Sequence, residues 1–558
     1  MNKFPYTITI LLLLTMLLST STSKAINVIN LQDEGIENHS SDLTPFIYDI
    51  LSKNKNKKGL KIVFPKSTYH FYPTQAFGKY HAVTNHDKGF RYFAFPLIDF
   101  EDIEIDAQGS EFIFHGQIIP FLVERSTNVK ICNANIYWEV PFYLEGSVIR
   151  SNKNDSTVDI KINEGFSNYE LVDNRLIIKG EGWEETDLGE NICFDPKTKA
   201  VLYRNDDLYS ITNEWTKKMK AMQIGERTFR LETKFEKETP PTGSIITFKG
   251  SFGSNRHSPA FHLSDSKNIS LSDINIYHAG GMGVVAEKTE NIYLKSVNVR
   301  LRENSKRILS TTADATHFCN CKGDLVIEDC LFENMLDDAC NVHGTYTKVE
   351  RIIDPYTVIA RLNHPQQFGF KFASDGDTIQ VVSGDKLLPK NKLQIKSVEQ
   401  INSQFSKFVF EMPILDMINI GDGLENIEWY PRLTFKENVI RNNRARSILV
   451  STPKKVVIEN NSFSSQMTGI LIEGDMDHWF ESGAVNDVTI QNNLFLDGTY
   501  GGGAPHVSIW VNPHLNIIDP DKAYESNIII KNNVFKTFND VLLRAHSVNN
   551  LQYVNNTI

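Results

Sequence analysis

Apolar and polar residues alternate in short runs along much of this chain, and several runs end in the same Asn-Asn step. The clearest copies are VVIENNSF at 456–463, VTIQNNLF at 488–495 and IIIKNNVF at 528–535. Alternation with a period of two predicts strands with one buried face. The Asn-Asn step predicts a corner, because asparagine tolerates the left-handed backbone conformation. The pattern therefore indicates a repeated strand-and-corner unit.

The spacing of these units indicates how they stack. Ile269 and Ile292 begin equivalent runs 23 residues apart, and Leu433 and Val456 are also 23 residues apart. Later intervals of 32 and 40 residues leave room for loops at one corner. Repeats of this length with apolar inward positions are typical of a stacked solenoid. We therefore predict an all-β fold, a right-handed parallel β-helix. A sandwich of unrelated antiparallel strands is the alternative.

Two long stretches interrupt the repeat. Residues 151–250 and 347–427 lack the Asn-Asn step and contain alternating strands separated by turn residues, which is the pattern of antiparallel hairpins. The 108 residues from Leu325 to Leu433 amount to one rung plus about 85 inserted residues. We predict that each stretch is a small β-barrel-like domain inserted into the helix. The predicted organisation is a signal peptide (1–25), a cap with the first rungs (26–150), the first insertion (151–250), central rungs (251–346), the second insertion (347–427) and C-terminal rungs (428–558).

The beginning of the chain has the layout of a secretory signal peptide. Lys3 precedes an apolar run at 8–18, and Ser-Lys-Ala at 23–25 provides a cleavage site before Ile26. The apolar run is too short for a comfortable membrane span, and no later run in the sequence is long and apolar enough to form one. We expect a periplasmic or secreted protein without a membrane anchor.

Composition narrows the classes of partner. The net charge is -10, with acidic and basic residues interspersed, so the sequence offers no basic face for nucleic acid. An uncharged polymer such as a glycan fits better. Six cysteines in 558 residues are too few for a disulfide scaffold, and the four at 319–340 match no zinc spacing. We expect buried thiols or one disulfide, and no metal.

Three aspartates in the central rungs are the candidate catalytic residues. Asp314 and Asp337 are 23 residues apart, one repeat, so they are expected on neighbouring rungs about 4.8 Å apart. Asp338 reaches the same face if it occupies a corner or bulge. Crowded carboxylates raise at least one pKa, which provides an acid beside a carboxylate. Hydrolysis of a glycosidic bond requires that pair. Calcium binding and turn capping are the alternatives.

The motifs around these aspartates resemble a known family. TADATHF at 312–318 and FENMLDDACNVHG at 332–344, with the signal peptide, cap and late repeats, are similar to the bacterial α-1,3-galactosidases of glycoside hydrolase family 110. The resemblance covers nearly the whole mature chain. It implies an inverting exo-glycosidase that removes terminal non-reducing α-1,3-linked galactose from glycans such as the blood group B antigen or linear Galα1,3Gal, without a cofactor.

The resemblance also implies roles for individual residues. Asp314, Asp337 and Asp338 match the catalytic aspartates of the family. By analogy with β-helical polygalacturonases, Asp337 is the acid and the other two form the base. His317 and His343 flank the aspartates and are predicted to bind substrate, with a buried structural role as the alternative for each.

Glu473 is a further predicted substrate contact, and two other functions are alternatives to the glycosidase. Glu473 lies on a later rung that could share the face of the aspartates, and we predict that it contacts a galactose hydroxyl.

A polysaccharide lyase would need a basic residue and several calcium ligands, and the segment around the aspartates offers only Lys322 as a basic residue. A non-catalytic glycan-binding β-helix would need an aromatic platform but not the aspartates.

Overall fold

The structure is a computed structural model that describes residues 27–34, 39–55, 57–165, 168–203, 211, 219–233, 239–503 and 506–558. The predicted signal peptide lies outside the described residues. Within them, the chain forms one α-helix, Thr44–Asn54, two short 3-10 turns, Pro73–Gln75 and Pro365–Gln367, and otherwise strands and loops. Of the described helices, none has the length and apolar character needed to cross a membrane.

The main body is a parallel β-helix, as predicted. Ile269 pairs with Ile292 and Leu433 with Val456, so each 23-residue interval is one rung. Val456 also pairs with Val488, so the longer interval is a rung with a loop. One sheet comprises the strands Asn27–Asn30, His39–Asp42, Leu60–Val63, Thr68–Phe71, Glu101–Phe114, Thr127–Trp138, Lys267–Ile276, Glu290–Val299, Lys322–Glu328, Leu331–Glu333, Pro431–Lys436, Val439–Arg441, Val456–Glu459, Ser462–Ser464, Val488–Gln491, Leu494–Leu496, Glu525–Lys531, Val534–Lys536 and Val548–Val554.

A second sheet runs along another side of the helix and carries the candidate site. Its neighbouring strands pair in parallel, apart from the antiparallel hairpin at its beginning and the short strand 481–482. Apolar side chains from the two sheets form one continuous buried core. The strands are Phe77–Tyr80, Phe90–Ile98, Ile119–Glu124, Phe261–Ser264, Val284–Glu287, Thr316–Cys319, Cys340–Asp354, Ile448–Val450, Ile470–Ile472, Glu481–Ser482, Ile509–Val511 and Leu543–Ala545.

The Asn-Asn step has two separate functions in this fold. The first asparagine turns the corner, since Asn460 and Asn492 have φ angles of 58° and 57°. The second forms a buried ladder between rungs. Asn461 Nδ2 donates to Asn493 Oδ1 at 2.9 Å, and Asn493 Nδ2 donates to Asn533 Oδ1 at 3.0 Å. Because buried amides need hydrogen-bond partners, the ladder explains why the motif recurs.

The helix Thr44–Asn54 covers the N-terminal end of the stack. It buries Ile47, Ile50 and Leu51 in the same core as the first rungs. Its first turn contains Pro45, and the backbone N–H of Thr44 donates to Asp42 Oδ1 at 2.9 Å. A helix in this position can cover the apolar surface that the open end of a repeat stack exposes.

Both insertions are antiparallel β structures. The first forms a six-stranded sheet beside a three-stranded sheet, and the two share a buried core. The strands of the first insertion are Leu144–Asn152, Thr157–Ile162, Asn168–Val172, Arg175–Lys179, Glu184–Glu185, Asn191–Phe194, Lys220–Gly225, Thr228–Glu232 and Ile245–Phe248. The second closes into a six-stranded barrel. The strands of the second insertion are the end of Cys340–Asp354, followed by Thr357–Arg361, Thr378–Val382, Pro389–Gln400, Phe405–Phe410 and Gly423–Asn426. The predicted fold class is confirmed.

All six cysteines are buried, free thiols. Cys319 ends a strand of the second sheet and Cys321 lies in the corner that follows it, where burial raises the pKa of the Cys321 thiol to about 12. Neutral thiols of this kind pack as small apolar side chains. Of the two states left open by the sequence, the buried thiol is the one observed.

Candidate active site

The three predicted aspartates line one cavity of about 570 Å³ on the second sheet. Asp314 precedes the strand Thr316–Cys319, and Asp337 and Asp338 precede the next strand. The backbone N–H of Ala315 donates to the carbonyl of Asp338 at 2.8 Å, which joins the two loops. Thr316 pairs with Cys340, an offset of 24 residues rather than the expected 23. The structure thus brings the three side chains together.

Asp337 is held between two arginines. Arg256 Nη2 donates to its Oδ2 at 2.7 Å, and Arg444 Nη2 donates to its Oδ1 at 3.4 Å. Burial by itself would raise the pKa of Asp337, but the Arg444 and Arg256 guanidinium groups hold that pKa well below its usual range. Asp337 is therefore a carboxylate at any pH at which the protein would work.

Asp338 is held by a third arginine, Arg446. The backbone N–H and Nε of Arg446 both donate to Oδ1 at 2.8 Å, and Nη2 donates to Oδ2 at 2.6 Å. Burial raises the pKa of Asp338 to about 7 against the opposing charge of Arg446. Both oxygens already accept hydrogen bonds from a cationic donor, which is the geometry of a bidentate carboxylate pair. These contacts fit the ionised form of Asp338.

Asp314 has a different environment. Its Oδ2 lies 2.8 Å from Nδ1 of His317, a fully buried ring. Burial raises the pKa of Asp314 to about 7, and the negative charge of Asp337 adds to the rise. Below about pH 7, protonation is therefore favoured at Asp314 but not at Asp337. The environments of the two side chains favour a carboxylic acid beside a carboxylate.

The structure places the predicted substrate contacts outside the cavity. His317 and His343 are fully buried beneath its floor, and neither lines it. Glu473 is also buried and away from the cavity wall, with His514 Nε2 3.5 Å from its Oε2. The positions of the two histidines support the alternative that each is a buried residue with a structural role. The position of Glu473 does not support direct contact with a sugar.

An aromatic wall borders the cavity, and the sequence interpretation did not include it. We use the name for Phe252, His478 and Trp479, which line the cavity, and for His364, which packs against them. The ring centroids of His364 and Trp479 are 4.5 Å apart, those of His478 and Trp479 are 4.9 Å apart, and those of Phe252 and His364 are 6.2 Å apart. The four come from loops outside the repeat, so the strand pattern contains no signal for them. The H-W-F run at 478–480 was the available hint.

A buried ion pair between Lys249 and Glu190 lies at the cavity, which Glu190 lines. Lys249 Nζ lies 2.7 Å from Glu190 Oε2, and Asn255 Nδ2 donates to the same oxygen at 3.0 Å. Burial by itself would raise the pKa of Glu190, but Lys249 lowers it, so Glu190 is ionised. Glu190 and Asn85 are further cavity residues that sequence reasoning did not identify.

One group of side chains near the site contains atoms that could bind a metal ion. The ring nitrogens of His317 and His343 and a carboxylate oxygen of Glu481 lie within 4.8 Å of one another. The two Nε2 atoms are 2.9 Å apart, which is an N–H···N hydrogen bond. One of these nitrogens must carry a hydrogen and has no lone pair for a metal. Hydrogen bonding therefore accounts for this group.

The fold and the site together have the features of a β-helical glycoside hydrolase. The parallel β-helix holds an acid and a carboxylate in a cavity lined by arginines and aromatic rings. Comparison with known proteins supports this class of enzyme. The family models described as GLAA-B beta-barrel domain I and GLAA-B beta-barrel domain II match residues 144–246 and 357–424. The chain is 32% identical to alpha-1,3-galactosidase A of Shewanella woodyi, over 95% of this chain and 85% of that protein. It is 33% identical to an alpha-1,3-galactosidase B of Phocaeicola vulgatus, over 97% and 91%.

The chain belongs to this family of α-1,3-galactosidases, which is the family that the aspartate motifs resemble. Among solved structures, an exopolygalacturonase of Thermotoga maritima aligns with a TM-score of 0.41 at 9% identity, over 95% of this chain and 92% of that one.

Proposed function

We propose that this protein is an inverting exo-α-1,3-galactosidase. Its substrates would be glycans that end in non-reducing α-1,3-linked galactose, such as the blood group B antigen or linear Galα1,3Gal. The observation that carries the proposal is the convergence of Asp314, Asp337 and Asp338 in one cavity, where Arg256 and Arg444 hold Asp337 but Asp314 contacts a buried histidine. The names of the relatives support the same activity. We also propose that the protein is exported to the periplasm or secreted, on the basis of residues 1–25.

The environments of the three aspartates suggest a division of roles. Asp314 would protonate the glycosidic oxygen as the bond to the galactose anomeric carbon breaks. A water molecule would attack that carbon from the opposite face and lose a proton to the Asp337 or Asp338 carboxylate. The analogy with polygalacturonases instead makes Asp337 the acid. The free site disfavours that assignment, because Arg256 and Arg444 stabilise the charged form of Asp337.

The walls of the cavity fit a single terminal sugar. Arginine and carboxylate groups can bind galactose hydroxyls, since charge-assisted hydrogen bonds are strong in buried sites. The half-buried Trp479 ring offers a flat apolar surface to the C–H face of galactose. A cavity of about 570 Å³ is in the usual range for a small ligand and favours removal of an end residue over binding along a polymer.

The experiment that tests the proposal is galactose release from branched blood group B trisaccharide and from linear Galα1,3Gal, each with EDTA present. Wild type should release galactose from at least one glycan, and Asp337→Asn should release none. Asp159→Asn is the control, because Asp159 is also a buried aspartate held by an arginine, Arg230, but lies in the first insertion. Failure of wild type to release galactose from either glycan, with the protein folded, would refute the proposed activity.

A further inference from the structure

We propose that Gln367, in the second insertion, is a positioning residue that fixes the loop carrying Trp479 and so holds the Trp479 ring in place to bind the terminal galactose. We call residues 475–480 the wall loop. The inference rests on the proposed function for the identity of the sugar, but the contacts that carry it do not involve the reaction. Gln367 does not line the cavity and would act through Trp479, which does.

The contact that carries the proposal joins two distant parts of the chain. Gln367 Nε2 donates to the backbone carbonyl oxygen of Trp479 at 2.8 Å, across 112 residues of sequence. A carbonyl can only accept, so the amide nitrogen of Gln367 must face it. The Gln367 side chain is buried, and a buried polar group that loses its partner is destabilising. The second insertion thus holds the backbone of the residue whose ring forms the aromatic wall.

The N–H groups of the wall loop are held from within the loop itself. The buried Asp475 carboxylate accepts at Oδ1 from the backbone N–H of Asp477 at 2.6 Å and of His478 at 3.0 Å. Its Oδ2 accepts from the N–H of Trp479. Trp479 is therefore held by its own loop at the N–H and by the second insertion at the C=O, which leaves Gln367 as the contact from outside the loop at this residue.

The backbone next to Trp479 has an unfavourable conformation. Phe480 has a φ angle of 59°, in the left-handed region that a bulky side chain rarely adopts. Such a conformation persists where surrounding contacts over-determine it. The Phe480 ring is buried with Tyr346 and Met476, and its carbonyl accepts from the N–H of Tyr346 at 2.9 Å. Because the loop depends on contacts with other segments, loss of the Gln367 hydrogen bond should allow it to shift.

The short turn that contains Gln367 also contacts the segment around Arg256. The carbonyl of Gln366 accepts from the N–H of Asn85 at 2.9 Å, and Gln366 Nε2 donates to Asp87 Oδ1 at 3.3 Å. Asp87 Oδ2 in turn accepts from the N–H of Arg256 at 2.6 Å. The turn therefore bridges the wall loop and the backbone of a residue that binds Asp337. This bridge gives the second insertion a part in the active site.

The alternative is that Gln367 only attaches the second insertion to the β-helix. Its loss would then lower the stability of the protein without a selective effect on the wall loop or on sugar binding. Gln367→Met separates the two roles, because methionine has a similar length but no donor. Gln367→Asn is a second variant, which keeps an amide but is one methylene too short to reach the same carbonyl.

Hydrogen–deuterium exchange tests the positioning without substrate. The N–H groups of residues 477–479 should exchange about tenfold faster in Gln367→Met than in wild type, because the loop opens more often. Gln367→Asn should change the exchange in the same direction. Unchanged exchange in the folded variants would overturn the proposal. If neither variant folds, Gln367 supports the fold rather than the loop, and the proposal is also wrong. This readout needs no activity, so its failure is distinguishable from failure of the galactosidase assignment.

The matched control is Gln380→Met. Gln380 is a buried glutamine of the same insertion, and its Nε2 donates to the carbonyls of Val381 at 3.0 Å and Asn391 at 2.9 Å. It does not line the cavity. The control should leave exchange in the wall loop and the kinetic constants unchanged. Equal effects in Gln380→Met and Gln367→Met would indicate a general role in the stability of the insertion and would contradict the proposal.

Kinetics on Galα1,3Gal test the consequence for binding. Gln367→Met should raise KM about fivefold and change kcat less than twofold, because a ring that is no longer held in place binds the sugar less well. Since Gln367 acts through Trp479, adding Gln367→Met to Trp479→Ala should not raise KM further. A further fivefold rise in the double variant, or a fall in kcat with KM unchanged in Gln367→Met, would overturn the proposal.

Discussion

Replacing Arg256 by glutamine should shift the pH range of activity upwards. Arg256 Nη2 donates to Asp337 Oδ2 at 2.7 Å, whereas Arg444 is more distant at 3.4 Å. An opposite charge at such a distance lowers the pKa of a carboxyl by about 1–3 units. Loss of Arg256 should therefore raise the pKa of Asp337 by about that amount. The base is active when ionised, so activity would be lost as the pH falls through this higher pKa.

The same substitution should move the limb at high pH in the same direction. The charge of Arg256 also lowers the pKa of Asp314, so its removal stabilises the protonated acid. Activity that depends on protonated Asp314 is lost as the pH rises through its pKa, and that loss should occur at higher pH in the variant. The shift should be smaller than on the acid side, because Arg256 pairs with Asp337 directly.

The assay is kcat/KM for galactose release between pH 3 and pH 9, with stability checked at each pH by recovery after return to pH 6. Arg230→Gln is the matched control, since Arg230 forms a similar pair with Asp159 far from the aspartates. The control should follow the wild-type profile. If Arg256→Gln remains folded and its acid limb stays in place or moves to lower pH, the electrostatic account of Asp337 is wrong.

Three further predictions follow from the described contacts. Asp314→Asn should lower kcat on natural glycans about 10²–10⁴-fold but much less on a dinitrophenyl α-galactoside, whose leaving group needs no proton; equal losses would remove Asp314 from the acid role. Trp479→Ala should raise KM about tenfold with a smaller effect on kcat, and an unchanged KM would exclude stacking. Asn493→Ala should lower the free energy of unfolding by about 2–4 kcal/mol because it leaves ladder partners unpaired. The exposed Asn486→Ala should change that free energy little, and equal losses in urea unfolding would contradict the ladder.

The sequence predicts the repeat well because its signal is local. Each VxIxNNxF copy contains the inward apolar positions, the corner residue and the ladder residue, so one unit specifies one rung. The aspartates could be predicted because Asp314 and Asp337 lie nearly one rung apart. Even there the actual offset is 24 residues, since the length of a turn is not fixed by strand periodicity.

The partners of the aspartates could not be predicted in the same way. Arg256 and Arg446 lie 81 and 108 residues from the carboxylates that they bind, and nothing in the spacing couples them. The histidines were interpreted by their closeness in sequence to the aspartates. Closeness does not show which side of the floor a side chain occupies, and His317 and His343 lie beneath it. The aromatic wall comes from three separate loops.

The central claim is that an acid and a carboxylate within this aspartate trio hydrolyse terminal α-linked galactose with inversion. The most direct test is ¹H NMR of the anomeric proton of galactose during the first minutes of hydrolysis of Galα1,3Gal. The account predicts that β-galactose appears first and that α-galactose follows only by mutarotation. Appearance of α-galactose first would show retention and would contradict the proposed mechanism.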